Sequence, residues 1–503
     1  MHRLPSSFLL LLTACALSGT FLLYAYPILF SGCHFPTQSP NGAAAPFRLL
    51  VFGDPQLEGD SSLPRLHNGS PASFPGLWHS FQSSEPSLGD RLSSVLRTFS
   101  GLKHDIPLFL QLLRKRLDLW GNDYYLAHIY RTLTFFLEPT HVTVLGDLLG
   151  SQWIGDEEFE RRGTRYWERV FAGGKRVGED ITGGISVSNL GDDTAWKRRI
   201  INVVGNHDIG YAGDIDGPHL ERFERVFGAA NYEVRFRLPG SASAGGEGGD
   251  APELRILNLN SLFLDGPALD ETLRMQTYDF INHVVQTSRP VEDPTSFTIL
   301  LTHVPLYKEA GICVDGPMMK YYGSDKGDTL REQNHLGQHS TKIVLESIFG
   351  INGEEEAPAN GRGRNGIILT GHDHEGCDVW HYLPTPTADQ QWYWKAKRWN
   401  ESLNEEERKV MGPGIREVTV RSMMGDFGGN AGFLSAWFEE GEGEGKGRWR
   451  VEYSSCMLGK QHWWWAVHVI DLITVGSWLS LATWRLWRTR RRDPEGPGKE
   501  KVQ

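Results

Sequence analysis

The stretch Ile201-Asn202-Val203-Val204-Gly205-Asn206-His207-Asp208 decides how the rest of the chain reads. Three of its first four residues are β-branched, which suits a buried strand. The run stops at Gly205 and presents Asn206, His207 and Asp208 at its C-terminal end, the edge where an open α/β sheet displays a site. Alone, Asn and Asp after glycine also make ordinary turns. Recurrence gives the stretch its weight. Phe47–Phe52 stops before Gly53-Asp54, and His141–Leu145 stops before Gly146-Asp147. Phe297–Thr302 stops before His303, and Ile367–Thr370 before Gly371-His372-Asp373-His374.

Each of these ends has a plain reading as a turn residue or a capped core histidine. Five together, in strands that one sheet would align, form a set of carboxylates, amide and imidazoles with no thiolate. Such donors suit a divalent ion such as manganese, iron or zinc. Six groups are too many for one tetrahedral ion and suit a pair sharing a bridging carboxylate. Two ions of this kind can activate a hydroxide and neutralise a phosphoryl group during in-line displacement. A histidine beside them can then protonate the leaving oxygen.

Between these strands the apolar spacing predicts helices. Residues 105–137 read as two amphipathic helices broken near Gly121-Asn122, followed by helices over 156–171, 219–227, 268–287 and 341–349. Further strands fit 232–236, 254–263, 416–422, 433–438 and 449–453. The segments 59–90, 173–193, 240–250 and 352–365 read as loops, the Gly-rich ones as surface insertions. Early alternation of strand and helix, then a strand-rich close, predicts an α/β fold of two packed sheets flanked by helices.

Composition narrows the class. The 503 residues suit one large domain or two to three ordinary ones, and 40% hydrophobic with 22% charged residues is globular. A formal charge of -11 argues against a nucleic-acid partner. Five cysteines are too few for a disulfide scaffold, and no CxxC pair exists.

Both ends are apolar. Residues 8–30 are long enough for a membrane anchor and longer than the core of a cleaved signal peptide needs to be. Residues 463–484 begin with Trp463-Trp464-Trp465 and lead into a basic tail, 485–503, which suits a second span with its arginines cytosolic. Asp471 inside that span would cost about 2.5–3.5 kcal/mol at a helix centre and needs a partner. With two spans, residues 46–456 form a luminal domain. Asn68 and Asn400 open glycosylation sequons, and Lys499-Glu500-Lys501-Val502-Gln503 fits a receptor-read endoplasmic-reticulum retrieval signal. Of the four luminal cysteines, Cys313 and Cys377 each follow a ligand-bearing strand end, so a bridge between them is the first expectation among three connectivities.

The ordered set Asp54-Pro55-Gln56, Gly146-Asp147, Gly205-Asn206-His207-Asp208, His303 and Gly371-His372-Asp373-His374 resembles the calcineurin-like metallophosphoesterase superfamily. That resemblance implies a four-layer α-β-β-α sandwich with two mixed sheets. It implies Asp54 and His374 on one metal, Asn206, His303 and His372 on a second, Asp147 bridging, and His207 facing the leaving group. Asp208 would orient His207. The superfamily usually has D-x-H in its first motif. Here Gln56 stands third, an amide ligand that favours manganese over zinc.

Phe52-Gly53-Asp54-Pro55-Gln56, Gly146 to Trp153, His303-Val304-Pro305-Leu306-Tyr307, Arg331 to Leu336 and Gly371 to Asp378 resemble one membrane-anchored branch. These are the fungal endoplasmic-reticulum enzymes that remodel the GPI anchor, related to the mammalian post-GPI-attachment phosphoesterase. The resemblance implies removal of ethanolamine phosphate from a mannose, the second mannose favoured, and passage of GPI-anchored proteins to export cargo receptors. Tyr307, Asn334 and His335 are candidate substrate contacts. Two alternatives stand beside this reading: a phosphoesterase for another luminal glycan, lipid or protein, and a metal-holding but inactive cargo adaptor.

Overall fold

The structure, a computed structural model, describes residues 4–37, 42–59, 88–239, 251–384, 394–399, 407, 411–441 and 447–490. Asn68, Asn400, the 240–250 loop, most of the 59–90 loop, and the retrieval-like end of the basic tail lie outside the described residues.

In chain order, helices α1 (Leu4–Tyr24) and α2 (Tyr26–Phe30) precede strand β1 (Phe47–Phe52), then come α3 (Leu88–Leu137), β2 (His141–Val144) and α4 (Asp156–Arg165). Strand β3 (Lys175–Arg176), α5 (Glu179–Thr182), β4 (Ser186–Asn189), β5 (Arg199–Asn202), α6 (Asn206–Ile209) and α7 (Gly217–Phe227) follow. Next are β6 (Tyr232–Arg237), β7 (Glu253–Asn258), α8 (Glu271–Thr287), β8 (Ser296–Leu301), β9 (Met319–Tyr321) and β10 (Leu330–Gln333). The chain closes with α9 (Gln338–Ile343), β11 (Gly366–Thr370), β12 (Cys377–Tyr382), β13 (Lys395–Arg398), β14 (Gly414–Thr419), β15 (Asn430–Glu439), β16 (Arg448–Met457) and α10 (Gln461–Arg490).

Among the described residues two large mixed sheets form, of order β16-β15-β1-β2-β5-β3 and β13-β12-β14-β11-β8-β7-β6-β4. β1, β2 and β5 run parallel at the centre of the first sheet. β7, β8, β11 and β14 do so in the second. The two-residue alternation of a strand then sorts the side chains. Phe47, Leu49 and Val51 of β1 face Val234, Ile256, Ile299 and Ile367 in a core between the sheets. Leu50 and Phe52 face the other way, where Phe52 meets Tyr130 of α3 at 6.2 Å between ring centroids. Leu300 and Ile368 likewise turn outwards with Ile281 and Val284 of α8. Each such side chain, fully buried, contributes about 1.5–3 kcal/mol.

Several elements differ from the sequence reading. The predicted break at Gly121 is absent: α3 runs unbroken through both Pro107 and Gly121. Gly121 answers a packing need instead, since a Cβ there would lie 1.7 Å from the Trp465 ring of α10. The first apolar run is not one helix over 8–30. It breaks at Ala25, and Pro27 opens the short α2. The expected loop 173–193 supplies edge strands to both sheets, β3 against β5 and β4 against β6. β9 with β10, and β12 with β13, are pairs that short, charged runs did not signal.

Among the described residues two helices are long and apolar enough to cross a membrane, over Ser7–Tyr24 and Gln461–Thr489. They pack on each other: Gly19 lets Val467 approach, Trp478 donates to Thr13 at 2.9 Å, and Thr20 donates to Asp471 at 3.1 Å. His468 Nδ1 lies 3.5 Å from Asp471. Asp471 thus has the partners its place in an apolar helix calls for, a hydroxyl and an imidazole. Disulfides join Cys33 to Cys456 and Cys313 to Cys377, and Cys15 is a free, exposed thiol in α1.

Candidate metal centre

The parallel strands of both sheets end at one edge, and the two packed sheets bring their edges together there. The first sheet delivers Asp54 and Gln56 after β1, Asp147 after β2, and Asn206 and His207 after β5. The second delivers His303 after β8 and His372 and His374 after β11. The turns are tight. Asp54, Gln56, Asp147 and His372 all have positive φ, at 46°, 42°, 49° and 72°. Such left-handed backbone in non-glycine residues is costly and clusters at functional sites. Two of the preceding glycines admit close neighbours: a Cβ on Gly146 would lie 2.3 Å from His303 Nδ1 of the partner sheet, and one on Gly205 2.1 Å from the Asp147 nitrogen of its own sheet.

Two groups of ligand-capable atoms result, and they share one residue. Atoms of Asp147, His303 and His372 lie within 4.8 Å of one another, as do atoms of Asp54, Asp147 and His374. Asn206 Oδ1 sits 2.9 Å from His303 Nε2, which places it in the first group. Gln56 belongs to the second: its Nε2 is 3.0 Å from Asp147 Oδ2 and 3.1 Å from His374 Nε2.

Backbone carbonyls fix the imidazole tautomers. His303 Nδ1 donates to the Leu145 carbonyl at 2.7 Å, leaving Nε2 directed at Asn206 and Asp147. His372 Nε2 donates to the Gln333 carbonyl at 2.9 Å, leaving Nδ1 as the nitrogen that could face an ion. A carbonyl that holds the far nitrogen is the usual support of a metal-binding histidine. Asp54 Oδ1 accepts the His372 backbone N–H at 3.0 Å, while its Oδ2 is buried without a partner. An orphaned buried carboxylate oxygen among thiolate-free N and O donors fits a hard divalent cation.

The charges here are sharply divided. Burial pushes the Asp54 carboxyl up to about 8. Burial also acts to raise Asp147, but His303 and His207 beside it hold it well below the usual carboxylate range. Burial opposes the charge on His303, yet Asp147 lifts it to about 9. Burial and the neighbouring His303 lower His372 to about 3. A divalent cation would neutralise this set in one step.

His207 stands at the rim. Its side chain is 38% exposed, its Nε2 lies 3.9 Å from Asp147 Oδ2, and its backbone N–H donates to Asp147 Oδ1 at 2.8 Å. Asp208 does not turn towards it. The Asp208 carboxylate is buried and accepts three backbone N–H groups, from Gly205 at 2.9 Å, Leu149 at 2.9 Å and Leu148 at 3.2 Å. The expected orienting role is therefore corrected: Asp208 buckles the Asp147 loop to the Gly205 turn.

The candidate substrate contacts divide. Tyr307 lines a cavity of about 440 Å³ with Gln338, Glu346, Asn352 and Trp394. Asn334 spends its amide on the Gly316 carbonyl at 3.3 Å. His335 is a correction: it is 1% exposed, and burial and the Lys308 ammonium lower it to about 4. It sits beside a buried network that sequence reading missed. Glu417 accepts from Lys308 at 2.8 Å, from His381 at 2.5 Å and from the Leu306 backbone N–H at 2.9 Å. These bonds hold the loop that follows His303. The Met423–Gly429 turn, unassigned from sequence, also serves the site. Met423 donates to the Gly53 carbonyl, Ser422 to the Asp54 carbonyl, and the Phe427 ring lies 5.0 Å from that of His374.

The chain resembles known proteins in sequence. Protein TED1 of Saccharomyces cerevisiae is 35% identical over 418 residues, covering 73% of this chain and 78% of that protein. An uncharacterized protein of Schizosaccharomyces pombe is 28% identical over 341 residues, 63% of either chain. Metallophosphoesterase 1 of Danio rerio is 23% identical over 280 residues, 53% of this chain and 60% of that protein. No family model matches the chain.

Proposed function

This chain belongs to the calcineurin-like metallophosphoesterase family, in the branch of Protein TED1, and from that premise we propose that it is a dinuclear metal-dependent phosphodiesterase. Its substrate would be the ethanolamine phosphate on a mannose of the GPI anchor, the second mannose favoured. The observation that carries the reading is Asp147, whose carboxylate belongs to both groups of ligand-capable side chains. Asp54, Gln56 and His374 would hold one ion, and Asn206, His303 and His372 the other. When bound, two divalent ions would supply an activated water and neutralise phosphoryl charge. Gln56, an amide where imidazole would favour zinc, tilts the choice to manganese over iron or zinc.

His207 is the proton donor of this scheme. Its exposed rim position lets Nε2 reach the sugar oxygen of the scissile bond. The bond from phosphorus to the mannose oxygen breaks, water oxygen stays on phosphorus, and the sugar oxygen takes the His207 proton. The cavity beside Tyr307 supports a glycan substrate, since an indole, a phenol, amides and a carboxylate suit a polyhydroxylated ring.

We read α1 and α10 as a pair of membrane spans with the intervening domain in the lumen of the endoplasmic reticulum. The two disulfides support an oxidising compartment. GPI-anchored proteins would be its substrates and export cargo receptors its downstream partners. A second reading, a metal-holding export adaptor without catalysis, takes its support from Gln56, whose amide lies against both Asp147 and His374. Incubation with defined GPI glycans, each carrying ethanolamine phosphate on one mannose, tests the choice by mass spectrometry. Release from one glycan by the parent chain, and none by His207→Ala, supports the diesterase. Rescue of GPI-protein export by a His207→Ala, Asp147→Ala chain supports the adaptor.

A further inference from the structure

The turns of α3 from Ile106 to Trp120 carry a second face that the domain does not use. Ile106, Phe109, Leu110, Leu113, Leu117 and Trp120 are all exposed, with Leu110 at 58% and Leu117 at 61%. At 100° per residue these six positions fall within an arc of about 100°, a full amphipathic stripe. Arg114 and Arg116 flank it on either side. The domain-facing side of the same turns is different. Leu112 is buried there, and Lys115 donates to Glu58 at 2.8 Å. This helix therefore packs one face on the domain and presents a second apolar face outwards.

The place of the stripe says what covers it. Its last residue, Trp120, meets Trp465 at 6.0 Å between ring centroids, and Gly121 lies directly against the same indole. Trp465 belongs to the first turns of α10, next to the exposed Trp463. The stripe thus continues the tryptophan belt at the domain end of a helix long and apolar enough to span a bilayer. Apolar residues flanked by arginines suit the level of acyl chains below headgroups, where long basic side chains reach up to phosphate.

We propose that α3 from Ile106 to Trp120 lies in the lipid–water interface beside α1 and α10, as a third and non-spanning membrane contact. The inference rests on the reading of α10 as a span. Its consequence is mechanical: two helices tether the domain, and a helix of about 20 Å lying along the surface fixes its tilt. The strand ends that carry the metal centre then keep a set height above the bilayer, as a lipid-linked substrate requires.

The test uses the full chain with Cys15→Ser, which removes the free thiol, reconstituted in phosphatidylcholine vesicles. Single cysteines at Leu113→Cys, Leu117→Cys, Asp118→Cys and Leu479→Cys carry an environment-sensitive fluorophore. Quenching is compared between nitroxide-labelled lipid and aqueous iodide. The expected result is lipid quenching at 113 and 117 at least twofold that at 118, with iodide reaching 118 alone of the three. Iodide access at 113 and 117, with lipid quenching at 479 intact, would overturn the proposal and leave the span standing. Shielding of 113 and 117 from both quenchers would also overturn it, by placing protein on the stripe. Loss of lipid quenching at 479 as well would remove the anchoring reading itself.

Discussion

Asp208 is the residue whose perturbation separates two readings of this site. Asp208→Asn keeps the size of the side chain but removes its charge and one acceptor. The parent carboxylate accepts from Gly205 and Leu149 at 2.9 Å and from Leu148 at 3.2 Å. One amide oxygen can keep the Leu149 bond, but the new NH2 group then faces the Gly205 and Leu148 donors. Charge-assisted bonds contribute about 1.5–3 kcal/mol each, and the weaker Leu148 bond sits at the low end. The expected loss is about 3–5 kcal/mol, which in a domain of this size lowers the thermal midpoint by roughly 3–6 °C. The Asp147 loop loosens with it, so metal affinity falls and added manganese restores part of the activity. His207→Ala is the control. It strands no buried group, so its midpoint stays within about 1 °C of the parent while turnover falls by about 10²–10⁴. Thermal scans in detergent, run beside initial rates over a manganese titration, read both effects. An Asp208→Asn chain of parental stability, with the turnover loss and pH profile of His207→Ala, would refute the buckle and restore Asp208 as a catalytic partner.

Three further outcomes follow from the same geometry. Glu417→Gln leaves Lys308 buried beside a neutral amide and should cost about 3–5 kcal/mol, with part recovered in a Lys308→Met, Glu417→Gln chain; thermal midpoints give both. Lys308 and His381 outweigh burial and hold the Glu417 carboxyl below its ordinary value, so its contribution is complete above about pH 4.3 and is lost only as pH falls through the lower folded value. The midpoint gap between parent and Glu417→Gln should then stay constant from pH 7 to 5 and shrink in stronger acid. A Cys313→Ser, Cys377→Ser chain, which opens a loop of 64 residues, should lose about 4 kcal/mol, measured by denaturant titration.

What the sequence disclosed, and what it did not, divides along physical lines. Strand ends were legible because a β-branched run stopped by glycine and followed by Asp, Asn or His is a local pattern, and parallel pairing carries each end to one edge. The convergence of Asp54, Asp147, His303 and His372 follows from that alone. The role of Asp208 was not legible, because two of the three backbone N–H donors to its carboxylate, Leu148 and Leu149, are brought in from the loop after β2 by tertiary packing. Gly121 misled for the same reason: a glycine in a helix reads as a break until the Trp465 ring that needs the space is seen. The carbonyls of Leu145 and Gln333, which set the tautomers of His303 and His372, carry no side-chain signal at all. Lys308 and Glu417 lie 109 residues apart, and nothing in either neighbourhood announces the other.

The central claim is that hydrolysis depends on ions shared through Asp147. The most direct measurement is release of ethanolamine phosphate from a defined GPI glycan, together with metal content per chain by mass spectrometry. It compares the parent, the parent after chelation, and Asp147→Ala. The expected result is two ions per parent chain, activity abolished by chelation and restored by manganese, and an Asp147→Ala chain that loses both metal and activity. Full hydrolysis by the chelated parent together with the Asp147→Ala chain would contradict it.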